Sequence, residues 1–199
     1  MTISDVSAAV LLWDFGDTLV DERWMLRAPA SCPGWSSAWT EVMRLHADDW
    51  DVGRLHEGDV FAALAERTGM PVDAVERHAD DCCRSIVYNR VAWRVATEQR
   101  RPQALVTVNP DLFVSRVVPA HGLAGIFEVI VVSSVEGTAD KVRLCEKALD
   151  RLGFDGDRRE ALLIDNREDL VEAWRISGGS AYCYRDDAAF ESVLPGLLG

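Results

Sequence analysis

Lysine is almost absent from this sequence. Lys141 and Lys147 are the only two in 199 residues, and arginine supplies the other positive charges. Acidic residues outnumber basic ones by 33 to 21, which gives a formal net charge of −12. A surface this acidic repels nucleic acid and anionic membranes, so we expect neither as a partner. In such a chain, a lysine at a special position is more informative than usual.

The cysteine patterns of disulfide frameworks and zinc sites are also missing. The five cysteines are scattered, their number is odd, and no Cys-x-x-Cys pair occurs. We therefore expect reduced thiols in a cytoplasmic protein. Residues 1–7 have neither a basic start nor a long apolar run, which argues against a signal peptide or a transmembrane segment.

Short apolar runs alternate with helical patterns in the second half of the chain. From residue 104 onward, each run is followed by a segment with helical periodicity, and we expect Pro119 to end the first of these helices. The alternation predicts an α/β fold with a doubly wound parallel sheet covered on both faces. Residues 21–101 show helical periodicity only, which predicts a small helical bundle inserted after the first strand. The apolar runs occupy residues 8–13, 104–107, 126–132, 161–164 and 180–184.

Residues suited to chemistry follow three of these runs or end them. They are Asp14, Thr107 and Asp165. Open α/β sheets bind ligands at the carboxyl ends of their strands, where these side chains would meet. Lys141 opens a predicted helix, where a cation opposes the helix dipole and calls for a nearby carboxylate or phosphoryl group. Each residue also has a purely structural explanation, as a turn residue, a cap or a solvated lysine.

The order of these four residues resembles the four motifs of the haloacid dehalogenase-like (HAD) hydrolase superfamily. The first motif corresponds to the apolar run followed by Asp14-Phe15-Gly16-Asp17-Thr18. The resemblance implies a doubly wound, Rossmann-like core formed by residues 1–19 and 104–199. It further implies an inserted α-helical cap at residues 20–103, as in the helical-cap, phosphatase-like branch.

The resemblance implies Mg²⁺-dependent hydrolysis of a small phosphorylated metabolite. Asp14 would attack phosphorus and form an aspartyl-phosphate, while Thr107, Asn109 and Lys141 would bind the phosphoryl group. We expect a monomer or a homodimer. The implied Mg²⁺ ligands are the side chains of Asp14, Asp165 and Asp169 and the backbone carbonyl of Gly16.

Gly16 is a departure from the family pattern. Most phosphatases of the family carry at this position an Asp that serves as general acid and base. We expect this group to be missing here, which predicts slow turnover of unactivated substrates, unless Asp17, His46 or His56 replaces it. The alternative function is a catalytically impaired relative that binds a phosphorylated ligand or a protein partner without turnover.

Other reactions of the family fit the sequence less well. Dehalogenases usually have Tyr at the position of Gly16, and sugar-phosphate mutases depend on the missing Asp. Phosphonatases need a cap lysine, and residues 20–103 contain no lysine. The cap residues near the first motif that could line a substrate pocket are Arg23, Trp24, Arg27, Trp35 and Trp39.

Overall fold

Five parallel strands form a single sheet in the order β3-β2-β1-β4-β5. The computed structural model describes residues 8–198, so the expectation for residues 1–7 lies outside the described part of the chain. Every predicted apolar run overlaps one of these strands, and the predicted α/β fold is confirmed. The strands are β1 Val10–Trp13, β2 Gln103–Thr107, β3 Val129–Val132, β4 Ala161–Asp165 and β5 Ser180–Cys183.

Four α-helices lie between β1 and β2, and the other α-helices follow the later strands. Two of them, α5 and α6, are shorter than two turns, and α5 continues directly from a π-helical turn at Phe113–Val117. Single 3-10 turns lie at Glu22–Leu26, Leu123–Gly125 and Arg158–Glu160. The α-helices are α1 Trp35–Trp50, α2 Glu57–Thr68, α3 Val72–Arg84, α4 Arg90–Glu98, α5 Val118–Ala120, α6 Ser133–Glu136, α7 Lys141–Leu152, α8 Glu168–Ile176 and α9 Asp187–Leu198.

Strand β1 is buried on both faces of the sheet. Its successive side chains point to opposite faces, so they join two different apolar clusters. Val10 and Leu12 join the apolar cluster that includes the buried faces of α7 and α8. Leu11 and Trp13 join the larger cluster, which includes buried residues of α9 and of α1 to α4. Both faces of the sheet are thus covered, as the doubly wound prediction requires.

The prediction that Pro119 ends a helix is wrong. The helical segment continues through Pro119 to Ala120, and the π-helical turn Phe113–Val117 directly precedes it. Proline lacks an N–H and its ring displaces the carbonyl of the preceding turn. A π-helical turn changes the hydrogen-bond spacing at that place, so the chain accommodates the proline inside the helical segment, which ends one residue later.

The two connections between β1 and α1, and between α3 and α4, run side by side. The N–H of Asp21 donates to the Val87 carbonyl at 3.0 Å, and the N–H of Asn89 donates to the Leu19 carbonyl at 2.9 Å. The Asn89 side chain also donates to the Thr18 carbonyl at 2.9 Å. These bonds fasten the helical insertion to the loop that follows β1.

The insertion reaches the carboxyl edge of the sheet through α1. Trp50 Nε1, at the last residue of α1, donates to Asp111 Oδ1 at 2.6 Å, beyond the end of β2. Helix α4 instead packs against α9, where the N–H of Val91 donates to Asp187 Oδ1 at 3.0 Å. Within residues 8–198, no helix is long and apolar enough to cross a membrane.

Candidate active site

Asp14 lies at the carboxyl edge of the sheet, directly after β1. Its N–H donates to the Ile164 carbonyl at 2.9 Å, so the backbone remains tied to β4 for one residue beyond the strand. The chain then turns sharply, with the N–H of Leu19 donating to the Phe15 carbonyl at 2.9 Å. The turn leaves the Asp14 carboxylate facing the other strand ends, with its side chain 12% exposed.

Lys141 brings the ends of β1, β2 and β4 together. Its Nζ lies 2.7 Å from Asp14 Oδ1 and 2.8 Å from Asp165 Oδ2, and it donates to the Val106 carbonyl at 2.7 Å. Lys141 is the first residue of α7, and its side chain is 1% exposed. The structure thus places Asp14, Lys141 and Asp165 in one buried group.

The charges of this group act on one another. Burial raises the pKa of Asp14 from 3.8 to about 6; the Lys141 ammonium works in the opposite direction, and Asp165 adds to the rise. Desolvation by itself would lower the pKa of Lys141, but the carboxylates of Asp14 and Asp165 outweigh it and raise the pKa above its usual value. Lys141 therefore remains an ammonium ion in the buried group.

Thr107 and Asn109 lie at the end of β2, next to this group. Both are buried, and the Asn109 side-chain amide donates to Thr107 Oγ1 at 2.7 Å. A hydroxyl that accepts this bond keeps its own hydrogen for a further acceptor. The N–H of Asn109 donates to Ser133 Oγ at 2.9 Å, which fixes the loop to the end of β3. Val108, which stands directly after Thr107, therefore does not prevent an Asn from reaching the hydroxyl.

The oxygen atoms of the group fit a magnesium ion. Asp165 Oδ2 is buried and receives no directed hydrogen bond, although it forms an ion pair with Lys141. One ammonium leaves the charges of two neighbouring carboxylates only partly balanced. Across residues 8–198 no three His, Cys, Asp or Glu side chains gather as a metal site. Mg²⁺ needs only one or two carboxylates, because it keeps several of its waters.

Known structures with the same architecture include haloacid dehalogenase-like proteins. A HAD family enzyme from Bacteroides thetaiotaomicron superposes with a TM-score of 0.70 at 15% identity, over 94% of this chain and 98% of its own. A predicted HAD-like family hydrolase from Porphyromonas gingivalis gives 0.67 at 14% identity, over 94% and 98%. This chain has the HAD-like fold.

A dehalogenase shares the HAD-like fold too. L-2-haloacid dehalogenase from Xanthobacter autotrophicus, with chloropropionic acid covalently bound, gives a TM-score of 0.63 at 16% identity, over 96% of this chain and 84% of its own. The Bacteroides enzyme has also been crystallised with magnesium and inorganic phosphate, and that complex gives 0.64 at 14% identity, over 90% and 96%. No protein-family model and no curated protein matches the sequence.

Two predicted site residues lie outside the buried group of this HAD-like fold. Asp169 is in the first turn of α8, where its side chain is 64% exposed and pairs with Arg167 at 2.7 Å. Asp17 is exposed, has a positive φ of 49°, and accepts the N–H of Glu22 through Oδ1 at 3.0 Å. The Asp17 carboxylate is therefore engaged at the first residue of the following 3-10 turn, which Asp21 caps.

Glu22 is a site residue that the sequence did not indicate. A Cβ built on Gly16 would lie 2.8 Å from Glu22 Cδ, so this carboxyl group stands against the bare glycine. Glu22 is exposed towards a cleft, where desolvation, followed by the charges of Asp14, Asp17 and Asp51, raises its pKa to about 7. No spacing rule links residues 16 and 22, because the contact depends on the positive φ of the intervening turn.

The cleft beside Glu22 is a cavity of about 450 Å³. Of the cap residues expected to line a pocket, Arg23, Trp24 and Trp39 do so. Trp35 is fully buried instead and donates its Nε1 proton to the Met25 carbonyl at 2.7 Å. Among the described residues that line the cavity, neither His46 nor His56 occurs, and Arg27 is also absent. The lining residues are Asp17, Glu22, Arg23, Trp24, Met25, Leu26, Trp39, Thr40, Met43, Ala47, Trp50, Asp51, Val108, Asn109, Pro110 and Leu112.

Proposed function

We propose that this protein is a Mg²⁺-dependent phosphomonoester hydrolase that works through an aspartyl-phosphate. The observation that carries the proposal is the buried Lys141 ammonium, which holds the carboxylates of Asp14 and Asp165 at the carboxyl edge of the sheet. A nucleophilic carboxylate needs this kind of environment, in which its position is defined and positive charge is available for an incoming phosphoryl group.

Each residue of the group has a role in this proposal. Asp14 attacks phosphorus through a carboxylate oxygen, and Lys141 keeps that oxygen in place through its 2.7 Å contact. Thr107 donates its hydroxyl hydrogen to a phosphoryl oxygen, since the Asn109 amide already occupies an acceptor site of that hydroxyl. A group of positive donors arranged before the substrate arrives stabilises the charge that develops during transfer.

Asp14, Asp165 and the carbonyl of Gly16 would hold Mg²⁺. When bound, the ion would stabilise the negative charge on the phosphoryl oxygens. We leave Asp169 out of the ligand set, because it is exposed and pairs with Arg167. The N–H of Arg167 donates to Asp165 Oδ1 at 2.8 Å, which orients the other oxygen of that carboxylate towards Lys141.

The cavity suggests a substrate with an apolar or aromatic part. Trp24, Trp39 and Trp50 line it together with Met43 and Leu112, and Asn109 connects it to the phosphoryl-binding group. Binding sites for small molecules combine a mostly apolar lining with a few polar groups that fix orientation. We take the segment at residues 20–103, which supplies most of this lining, as the cap that encloses the leaving group.

The structural neighbours support a hydrolase, but they include proteins linked to two different reactions. A HAD family enzyme of this fold has been crystallised with magnesium and inorganic phosphate, which favours phosphoryl transfer. A dehalogenase of the same fold has chloropropionic acid covalently bound, so carbon–halogen cleavage belongs in the test. The second candidate function is binding without turnover, and the missing side chain at Gly16 is the observation that favours it.

The deciding experiment is phosphate release from a panel of aryl and alkyl phosphates with Mg²⁺ present. We expect the wild-type protein to release phosphate. Asp14→Asn should lower the rate of release by at least about 10³-fold, as loss of a covalent nucleophile does in other enzymes. Circular dichroism and a thermal melt show whether the variant is folded. Chloride release from 2-chloropropionate without phosphate release would replace the proposal by dehalogenation. Saturable binding of phosphate esters without any release would favour the binding function.

A further inference from the structure

The space for a side chain at residue 16 is filled from another part of the chain. A Cβ built on Gly16 would lie 2.8 Å from Glu22 Cδ and 2.9 and 3.0 Å from the two carboxyl oxygens. These distances are shorter than van der Waals contact, so the Glu22 carboxyl group occupies the volume that any side chain at residue 16 would enter. An aspartate there would carry its own carboxyl group one bond beyond Cβ, in the same region.

Two hydrogen bonds hold the backbone that leads into Glu22. The N–H of Glu22 donates to Asp17 Oδ1 at 3.0 Å, and Asp17 has a positive φ of 49° that turns the chain back. The N–H of Asp21 donates to the Val87 carbonyl at 3.0 Å, on the connection that returns from α3. Asp17 is therefore a positioning residue for Glu22, and its carboxylate is already engaged in that contact.

The Glu22 carboxyl group is available to a ligand. It lines the cavity together with Asn109 and Trp24. Its side chain forms no hydrogen bond or ion pair with any residue of the described chain. Asp51 lines the same cavity, but it is Glu22 that stands against residue 16.

We propose that Glu22 is the general acid and base of the reaction, in place of the side chain missing at Gly16. This inference rests on the phosphoryl transfer proposed above. In the first step, Asp14 bonds to phosphorus, the bond from phosphorus to the ester oxygen breaks, and this oxygen takes the proton of the Glu22 carboxyl group. In the second step, the Glu22 carboxylate takes a proton from water as the water oxygen bonds to phosphorus. The bond from phosphorus to Asp14 then breaks, which releases inorganic phosphate and restores both residues.

The first test compares leaving groups in Glu22→Gln with Mg²⁺ present. An alkoxide needs a proton to leave, whereas a nitrophenolate does not. We expect kcat/KM to fall by about 10²–10⁴-fold for an alkyl phosphate and much less for p-nitrophenyl phosphate. Pre-steady-state kinetics with the aryl ester should show a burst of one nitrophenol per protein, since the aspartyl-phosphate forms but loses its base. Glu172→Gln is the matched control, because it neutralises an exposed carboxylate on α8, and it should behave as wild type.

The second test moves the carboxyl group. Glu22→Ala empties the space beside Gly16, and Gly16→Asp in that background supplies a carboxyl group from the other side. We expect kcat/KM for the alkyl phosphate to be at least about tenfold higher in the double variant than in Glu22→Ala. A purely structural role of Glu22 gives no such recovery.

The outcomes separate the two proposals. If Glu22→Gln and Glu22→Ala keep the wild-type ratio of alkyl to aryl kcat/KM while Asp14→Asn abolishes turnover, the role of Glu22 is overturned and the proposed function stands. If wild-type protein releases no phosphate from any ester, the proposed function fails and the role of Glu22 fails with it. Selective loss with alkyl esters, the burst, and recovery by Gly16→Asp support the proposal.

Discussion

Lys141 occupies a position that local helix energetics disfavour. It is the first residue of α7, where the helix dipole repels a cation, and its ammonium is buried. Two carboxylates within 2.8 Å compensate for both costs. Asp140, the residue before it, accepts the N–H of Arg143 and satisfies the end of the helix. The lysine is thus placed for its carboxylate partners, while the cap is supplied by its neighbour.

Replacing this lysine should therefore leave two buried carboxylates without their cation. We expect Lys141→Met to lower the free energy of unfolding by about 3–5 kcal/mol, the usual cost of breaking a buried ion pair. Urea unfolding in the presence of a chelator measures the change. Lys147→Met is the matched control, because Lys147 is 43% exposed in its pair with Glu136 and should cost less than about 1 kcal/mol. Equal effects of the two substitutions would contradict the importance of the buried group.

Glu22 predicts a pH dependence of stability. Its pKa is raised from 4.5 to about 7 in the folded protein, so the folded state holds this proton more tightly than the unfolded state. The stability that Glu22 contributes is present below pH 4.5 and is lost as the pH rises through about 7. Glu22→Gln cannot ionise, so relative to wild type it should gain stability across that interval.

The measurement for Glu22 is urea unfolding of both proteins, without metal, on either side of this interval. Asp169→Asn is a control of opposite sign, because hydrogen bonds from Arg167 lower the pKa of Asp169. Its wild-type carboxylate stabilises the fold above its ordinary pKa, and this contribution is lost as the pH falls. A difference between Glu22→Gln and wild type that stays constant with pH would contradict the placement of Glu22.

Among the contacts between elements within residues 8–198, those of Gln103 are the most numerous to be made by one buried amide: as the first residue of β2, it bonds to three neighbouring segments. Its Oε1 accepts Trp13 Nε1 at 3.1 Å, and its Nε2 donates to the carbonyls of Ala96 at 2.8 Å and Ile126 at 3.1 Å. The residue is 4% exposed, so water cannot replace these partners. Gln103 thus connects β1, α4 and the segment that leads into β3.

Gln103→Leu removes these bonds with little change in volume. We expect it to lower the free energy of unfolding by about 1–3 kcal/mol for each partner left unsatisfied, and a urea titration measures the loss. Gln99→Leu is the matched control and should cost less, since Gln99 is partly exposed and water can replace the bonds that its Oε1 accepts from the N–H groups of Arg100 and Arg101. A Gln103→Leu protein as stable as Gln99→Leu would show that these bonds add nothing.

At the scale of the whole molecule, a ligand that binds the folded state should stabilise the entire fold. At a Mg²⁺ concentration of 100 times Kd, we expect a gain of about 2.7 kcal/mol. For a protein of this size, that gain corresponds to a rise in Tm of roughly 5–10 °C. Thermal melts with Mg²⁺ and with a chelator measure the shift.

Two aspartates that the sequence proposed as ligands should differ in this experiment. Asp165 lies in the buried group, whereas Asp169 is exposed and paired with Arg167. We expect Asp165→Asn to lose the Mg²⁺-induced rise in Tm and Asp169→Asn to keep it. Loss of the rise in both variants would place Asp169 among the ligands, as the sequence suggested.

The sequence predicted the sheet and the edge of it at which three site residues lie. Apolar runs long enough for one strand could only be buried between helices, and parallel strands bring their carboxyl ends to one edge. Asp14 and Asp165 were therefore expected at the same edge, and Lys141 in a lysine-poor chain marked the helix beside them, whereas the strand order of the folded chain places β4 next to β1. The physical reason is that burial and periodicity are local properties, which each segment carries in its own residues.

The group that stands beside Gly16 is known only from the folded structure. The sequence suggested Asp17, His46 or His56 as substitutes for the missing side chain, but the Asp17 carboxylate accepts the N–H of Glu22, and it is the Glu22 carboxyl group that occupies the place of a side chain at residue 16. This position of Glu22 depends on a positive φ at Asp17 and on a hydrogen bond from Asp21 to the returning chain at Val87. Neither is encoded by residue spacing, because a side chain's direction at a turn is set by the segments packed on either side of it.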